Sequence, residues 1–351
     1  MIWIRADANK EIGTGHVMRC LSIAKALEKL GQKVCFLVAD ENPVPLLSAR
    51  GQEYLVLHSD YAHMEAECGT LDELFDRTGV SEKDFMLVDS YFVTAEYIRR
   101  VKKHLTVAYM DDCGTCGLSV DMLVNYNIYA QLSMYAGEYG TEEMANTQFL
   151  LGTAYAPLRD EFTNVSYQVR EKATDVLITT GGSDKYNLAG RILEQALDRK
   201  ETAGLCYKVI SGAYNIHLDY LKALAEKYEN VQILQNVTNM SEVMASCDIA
   251  ITAGGSTMYE LSAVGVPILC FSFVENQEGI VKTFRERELV DFGGNFLENG
   301  ESMLRELVEK LGELAEDVTA RRSYSERQRQ VVDGCGAMRI AKALARVASG
   351  N

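Results

Sequence analysis

The stretch Ile12-Gly13-Thr14-Gly15-His16-Val17-Met18-Arg19-Cys20-Leu21 follows a short apolar run, Ile2-Trp3-Ile4-Arg5, and opens an amphipathic segment. The run reads as a strand that delivers the chain to the carboxyl edge of a sheet. Gly13 and Gly15 let the backbone turn there and a ligand approach closely. Cys20, Ile23, Leu27 and Leu30 then recur at helical spacing until Gly31, ahead of a second apolar run, Val34-Cys35-Phe36-Leu37-Val38. The spacing predicts a β-loop-α-β unit, the repeating piece of a doubly wound α/β fold, with the titratable His16 in its loop. A histidine at such a turn either does chemistry at the sheet edge or caps and packs, and the motif alone leaves both open.

Outward from this unit the same alternation continues. Tyr54–Leu57, Phe85–Val88, Thr106–Tyr109, Met122–Val124 and Phe149–Leu151 read as buried parallel strands. Several end in polar residues, Asp89-Ser90-Tyr91, Asp111-Asp112 and Asn125-Tyr126-Asn127, which at carboxyl ends would face the same crevice as His16. For Asp111 and Asp112 a turn or cap is the simpler reading. The polar segment 164–174 is the expected boundary between a domain over 1–160 and a second over 172–335. A last amphipathic segment within 336–351 is expected to pack back on the first domain.

After that boundary the pattern restarts. Val176-Leu177-Ile178-Thr179-Thr180 runs into Gly181-Gly182-Ser183-Asp184 and a helix over 188–197. Strands at 205–210, 231–234 and 249–252 follow, the last leading into Ala253-Gly254-Gly255-Ser256-Thr257-Met258-Tyr259-Glu260. Glycines and hydroxyls before a helix turn free N–H groups toward an anion, so a diphosphate bridging the Gly182/Ser183 and Gly255/Ser256/Thr257 turns is the natural ligand. Glu260 suits the two hydroxyls of a ribose, or is simply a favourable acid in a first helical turn. A strand over 268–273 ends at Glu275-Asn276-Gln277, whose amides at an interdomain cleft would suit sugar hydroxyls. Past Asn295 the chain reads as charged helix.

Composition removes other classes. The 351 residues suit two domains, and 47% hydrophobic content supports a packed core in each. Fifty Asp and Glu against 35 Lys and Arg, a net charge of −15, oppose nonspecific binding to nucleic acid or an anionic membrane. Nine scattered cysteines are no disulfide framework, and Cys113-Gly-Thr-Cys116 lacks the second pair or nearby histidines of a zinc site. No apolar run approaches the ~20 residues that cross a bilayer, and no leader pattern opens the chain. The expectation is a cytoplasmic, unprocessed monomer without cofactor or metal.

The Gly-Thr-Gly-His turn together with Ala253-Gly-Gly-Ser-Thr-(x)2-Glu260-Leu, Gly265-Val266-Pro267 and Asn276-Gln277 resembles the glycosyltransferase-B superfamily, two Rossmann-like domains facing a cleft. Within it, Arg5-Ala-Asp7, Gly15-His16-Val17-Met18-Arg19-Cys20-Leu21 and Gly182-Ser183-Asp184-(x)2-Asn187 are most similar to the UDP-sugar hydrolases of pseudaminic acid biosynthesis, over nearly the whole chain to about Val290. The resemblance implies hydrolysis of a UDP-linked diacetamido-trideoxy sugar, with the base at His16 and the nucleotide turn at Gly255, Ser256, Thr257 and Glu260. It further implies that Arg5, Gly13, Gly15, Arg19, Gly182, Ser183, Asp184 and Asn187 bind substrate. Tyr91, Tyr155 and Asn276, with Gln277, are the loop side chains expected at the sugar.

The chemistry these residues predict is water attack at the anomeric carbon, with His16 as base and UDP leaving from the opposite face. Asp7 is expected to orient the imidazole or hold the water. The other histidines, His58, His63, His104 and His217, lie in segments without such a motif. A glycosyltransferase using a UDP-sugar donor, and a noncatalytic sugar-nucleotide-binding protein, are the alternatives. A transferase acting on a membrane lipid would need an exposed apolar or basic face, which no segment supplies.

Overall fold

The computed structural model describes residues 1–348 apart from Glu82, Cys113, Thr115, Cys116, Glu138 and Ala213. The chain forms two α/β units, Met1–Arg159 together with the segment from Cys335, and Asp160–Gly334. Both are doubly wound and Rossmann-like.

The first unit holds strands β1 (Ile2–Ala6), β2 (Val34–Val38), β3 (Tyr54–Val56), β4 (Phe85–Asp89), β5 (Thr106–Met110), β6 (Met122–Asn125) and β7 (Gln148–Leu151). They form one sheet in the order β3-β2-β1-β4-β5-β6-β7, every neighbour parallel. Helices cover both faces, so β1, β2, β4 and β6 are buried at every residue and read as apolar runs rather than as alternation. On one face Trp3, Leu37, Met86, Val88 and Leu123 pack with Leu71, Phe75, Tyr97 and Ile98. The helix Gly336–Ala348 lies against the helix Gly15–Lys29 and buries Ile340, Ala341 and Leu344, while Arg339 donates to the Ala154 carbonyl at 2.9 Å.

The second unit holds β8 (Asp175–Thr179), β9 (Cys206–Ile210), β10 (Val231–Leu234), β11 (Ile249–Ala253), β12 (Ile268–Ser272) and β13 (Asp291–Asn295), in the order β10-β9-β8-β11-β12-β13, again all parallel. In each sheet the strand order reverses once, between β1 and β4 and between β8 and β11. Connections on either side of a reversal leave in opposite directions and open a crevice at the carboxyl ends. His16 follows β1 and the two glycine turns of the second unit follow β8 and β11, so these three turns fall at a reversal, whereas Asp111-Asp112 follow β5 and Asn276-Gln277 follow β12.

Two features differ from the sequence reading. Strand β13 was not expected, because Asp-Phe-Gly-Gly-Asn carries no β-branched residue and two glycines. The segment 160–174 belongs to the second unit instead of linking the two. Arg170 Nε pairs with Asp248 Oδ1 at 2.6 Å, and the fully buried Arg321 donates to the carbonyls of Arg170 (3.1 Å) and Glu171 (2.8 Å). Arg321 also binds the carbonyls of Leu314 and Ala315 near the end of the helix Glu301–Glu316, satisfying acceptors that a helix terminus leaves open.

The two loops that follow β8 and β9 touch through main chain alone at Gly212. A Cβ there would lie 2.4 Å from the Gly182 carbonyl oxygen and 2.6 Å from Gly182 Cα. Gly212→Ala is therefore expected to cost about 1–3 kcal/mol, read as a lower urea midpoint of the second unit.

Candidate active site

The first unit builds its polar centre from the ends of β1, β4, β5 and β6. The chain leaves β1 through Asp7, and the Asn9 side chain accepts the N–H groups of Glu11 (2.8 Å) and Ile12 (2.9 Å) to close a turn ending at Gly13, whose φ of +73° favours glycine. The helix then begins at Gly15, so His16, Arg19 and Cys20 lie on its first turns. Residues 16, 19 and 20 share a helix face, and that face meets Asp89 at the carboxyl end of β4, the strand beside β1.

His16 is 4% exposed and its Nδ1 lies 2.6 Å from Asp89 Oδ1. Burial works to raise the Asp89 carboxyl, but Arg19 and His16 hold it well below the usual carboxylate range. Asp89 is thus an acceptor only, so the ring nitrogen that faces it, Nδ1, carries a proton; no described residue bonds Nε2. Arg19 reaches both Asp89 oxygens, with Nε to Oδ2 at 2.5 Å and Nη2 to Oδ1. Its Nη1 binds both oxygens of Asp112, at 2.7 and 2.6 Å, and the Tyr126 hydroxyl at 3.1 Å. Burial pushes the Tyr126 phenol up to about 12 and the Cys20 thiol far above its usual range, so both stay protonated and Cys20 Sγ donates to Asp89 Oδ2 at 3.4 Å. Tyr91, half exposed, sets its ring edge against the imidazole, centroids 4.5 Å apart at 77°, and donates its hydroxyl to Asp112 at 3.3 Å.

Several expected roles need correction. Asp7 does not orient the imidazole: its Oδ2 is paired with Arg5 and its Oδ1 accepts the Ala39 N–H at 2.8 Å, while Asp89 holds the ring. Arg5 is fully buried with its Nε and Nη2 on Glu67 at 2.8 and 3.0 Å, so its charge is spent inside the unit and does not face a substrate. Arg19 is likewise saturated by carboxylates. Asp112 is its partner, whereas Asp111 accepts the Gly114 N–H and the Tyr135 hydroxyl, both at 2.9 Å, as a turn residue does. Cys113 and Cys116 lie outside the described residues. Among the described residues no group of three or more His, Cys, Asp or Glu side chains is arranged to hold a metal ion, and no helix is long and apolar enough to cross a membrane.

In the second unit the two glycine turns are unequal. After β8, the Asp184 carboxylate is 3% exposed and accepts the N–H groups of Leu188 (2.7 Å) and Ala189 (3.0 Å). It occupies the start of that helix with a negative charge of its own, and Asn187, at φ +52°, forms the N-cap with Oδ1 buried. Asp184 thus serves the helix, whereas the Asn187 side chain makes no capping bond and its Oδ1 has no hydrogen-bond partner among the described residues; Gly182 and Ser183 are exposed. After β11 the helix Thr257–Val264 starts at Ser256 without a side-chain cap. Among the described residues no carbonyl takes the N–H groups of Ser256 and Thr257, so this terminus keeps the donors and the positive dipole end that suit a phosphate. Gly254 is required there, since a Cβ would meet Val281 Cγ2 at 2.3 Å and Gln277 Cβ at 3.2 Å. Glu260 lies in the helix's first turn, part-exposed. Gln277 spends Oε1 on the Phe273 N–H at 3.0 Å, which leaves its Nε2 donors. The side chain of Asn276 lies outside what the structure describes.

The fold of two doubly wound units is one that solved glycosyltransferase structures share, and the second unit matches a glycosyltransferase domain family in sequence. Residues 176–331 match the glycosyltransferase family 28 C-terminal domain. Among solved structures, MurG of Acinetobacter baumannii superposes with a TM-score of 0.72 at 12% identity, covering 98% of this chain and 99% of that one. In sequence the chain is similar to the UDP-2,4-diacetamido-2,4,6-trideoxy-beta-L-altropyranose hydrolase of Campylobacter jejuni, 23% identical over 281 residues that cover 79% of this chain and 93% of that one. It is similar over its whole length to the spore coat polysaccharide biosynthesis protein SpsG of Bacillus subtilis, 24% identical with 98% and 97% covered. An uncharacterized Methanocaldococcus jannaschii protein, MJ1062, is 24% identical over 76% of this chain, and the match spans about half of that protein, 54%.

Proposed function

We propose that this protein hydrolyses a UDP-linked diacetamido-trideoxy sugar to the free sugar and UDP, in pseudaminic acid or related nonulosonate biosynthesis. The observation that carries the reading is the His16–Asp89 pair at the β1/β4 reversal. A buried, ionised carboxylate fixes the proton on Nδ1 and presents Nε2 as a proton acceptor. The name of the Campylobacter jejuni relative supplies the substrate class. Nε2 takes a proton from water as its oxygen bonds to the anomeric carbon. The bond from that carbon to the diphosphate oxygen breaks with its electron pair on UDP, and the anomeric centre inverts. The N–H groups of Ser256 and Thr257 receive the diphosphate charge, and Glu260 binds the ribose hydroxyls.

Hydrolysis in ¹⁸O-water tests the mechanism: the label is expected in the sugar, and label in UDP instead would mean attack at phosphorus and would remove His16 from the reaction. A transferase reading is favoured by the family 28 match and separates on product, since turnover that requires a sugar or lipid acceptor would replace water attack. Glu260→Ala is expected to weaken UDP binding in calorimetry by about tenfold, one charge-assisted pair of hydrogen bonds, while sparing inorganic phosphate. Because helix-terminal N–H groups serve the leaving group, activity is expected to survive EDTA; loss restored by Mg²⁺ would count against that assignment.

A further inference from the structure

A carboxylate pressed against Nδ1 has a drawback for a general base. It stabilises an imidazolium over an imidazole, and an imidazolium has no lone pair with which to accept a proton. The first unit carries a counterweight. Arg19 Nη2 lies 3.0 Å from His16 Nδ1 and donates to the same Asp89 oxygen that the ring uses. One oxygen is shared by a ring N–H and a guanidinium N–H, so a fixed positive charge sits against the ring nitrogen where a second positive charge would have to form. The guanidinium is locked in that position from three strand ends, by Asp89 at the end of β4, Asp112 after β5 and Tyr126 after β6. Among the described residues, the charged and titratable groups bonded to or stacked on His16 are Asp89, Arg19 from its own helix and the ring edge of Tyr91, while Cys20, also on that helix, bonds Asp89. Asp112 acts on it through Arg19.

We propose that Arg19 is a positioning residue: shared between Asp89 and Asp112 and set against Nδ1 of His16, its guanidinium keeps the ring a neutral imidazole with a free Nε2. The catalytic consequence rests on the hydrolytic reading, but the charge balance does not. Asp89 alone would orient the ring and also fill its second nitrogen with a proton; Arg19 preserves the orientation and opposes the proton. A lysine keeps the charge but not the fork that spans two carboxylates, so charge and geometry can be separated by substitution.

The test is long-range ¹H–¹⁵N NMR of the histidine rings of the intact protein, with His16 assigned by the signal lost in His16→Asn. At neutral pH the native ring is expected to show Nδ1 protonated and Nε2 bare. In Arg19→Gln its titration midpoint is expected to rise by about one pH unit or more, a tenfold gain in proton affinity, and Arg19→Lys to return most of that rise. A midpoint in Arg19→Gln that stays or falls overturns the proposal. If Arg19→Gln does not fold, Asp112→Asn carries the test. Removing the carboxylate that partly neutralises the guanidinium is expected to lower the midpoint by about half a unit, and an unmoved or raised midpoint overturns the proposal equally. In hydrolysis of the UDP-sugar, the acid limb of kcat/KM is expected to follow the NMR midpoint in each variant. A limb that stays while the midpoint moves leaves the charge balance standing and rejects His16 as the base, so the two readings fail separately. A uniform fall in rate at every pH, with both limb and midpoint unmoved, marks Arg19 as merely structural and overturns the proposal.

Discussion

Asp89→Asn is expected to lower kcat by about 10²–10⁴ while leaving UDP affinity unchanged. Both Asp89 oxygens receive donors, Oδ1 from His16 Nδ1 and Arg19 Nη2, Oδ2 from Arg19 Nε and Cys20 Sγ. An asparagine must turn its NH₂ toward one of these pairs. Facing His16, it forces the imidazole proton onto Nε2 and removes the base; facing Arg19, it sets donor against donor and loosens the clamp. His16→Ala is expected to fall in the same range, and the double variant to be no slower than the worse single one, because the pair acts as a unit. Single-turnover rates with calorimetry of UDP binding check this. Additive losses would show that Asp89 and His16 work independently.

The second large effect concerns stability. Glu67→Ala is expected to destabilise the first unit by about 3–5 kcal/mol, because it strips Nε and Nη2 of the fully buried Arg5 of their partners and leaves the charge held by Asp7 alone. Arg5→Met with Glu67→Leu is expected to cost much less, since an apolar pair avoids leaving an uncompensated charge inside. The readout is built in: Trp3 is the one tryptophan of the chain, lies on β1 and packs against Phe75 with ring centroids 5.9 Å apart. Its fluorescence in urea follows the first unit specifically. A Glu67→Ala midpoint within experimental error of the parent would mean that the ion pair is dispensable.

Most of the fold was legible in the residues because parallel strands covered on both faces appear as unbroken apolar runs, and each glycine turn marked a strand end. His16 was legible for the same reason, as the one imidazole in such a turn. Its partner was not: Asp89 is 73 residues away, and only the adjacency of β1 and β4 in the sheet order brings the two together. The misreadings of Arg5, Asp7 and Asp184 share one cause. A charged residue beside a ligand turn looks available, yet its availability is decided by a distant partner, as with Glu67, or by its own backbone a turn later, as with Leu188 and Ala189. The motif locates the crevice but does not say which of its charges are already used.

The return of the helix Gly336–Ala348 to the helix Gly15–Lys29 bears on how the protein is made. The second unit is one continuous segment, Asp160–Gly334, whereas the first is assembled from both sides of it. The whole second unit separates the covering helix from the rest of the first unit in the chain, so the second unit can complete its core while the first still exposes the apolar face that Ile340, Ala341 and Leu344 will cover. The unit carrying His16 therefore depends for its closure on residues made after those of the unit carrying Ser256 and Thr257.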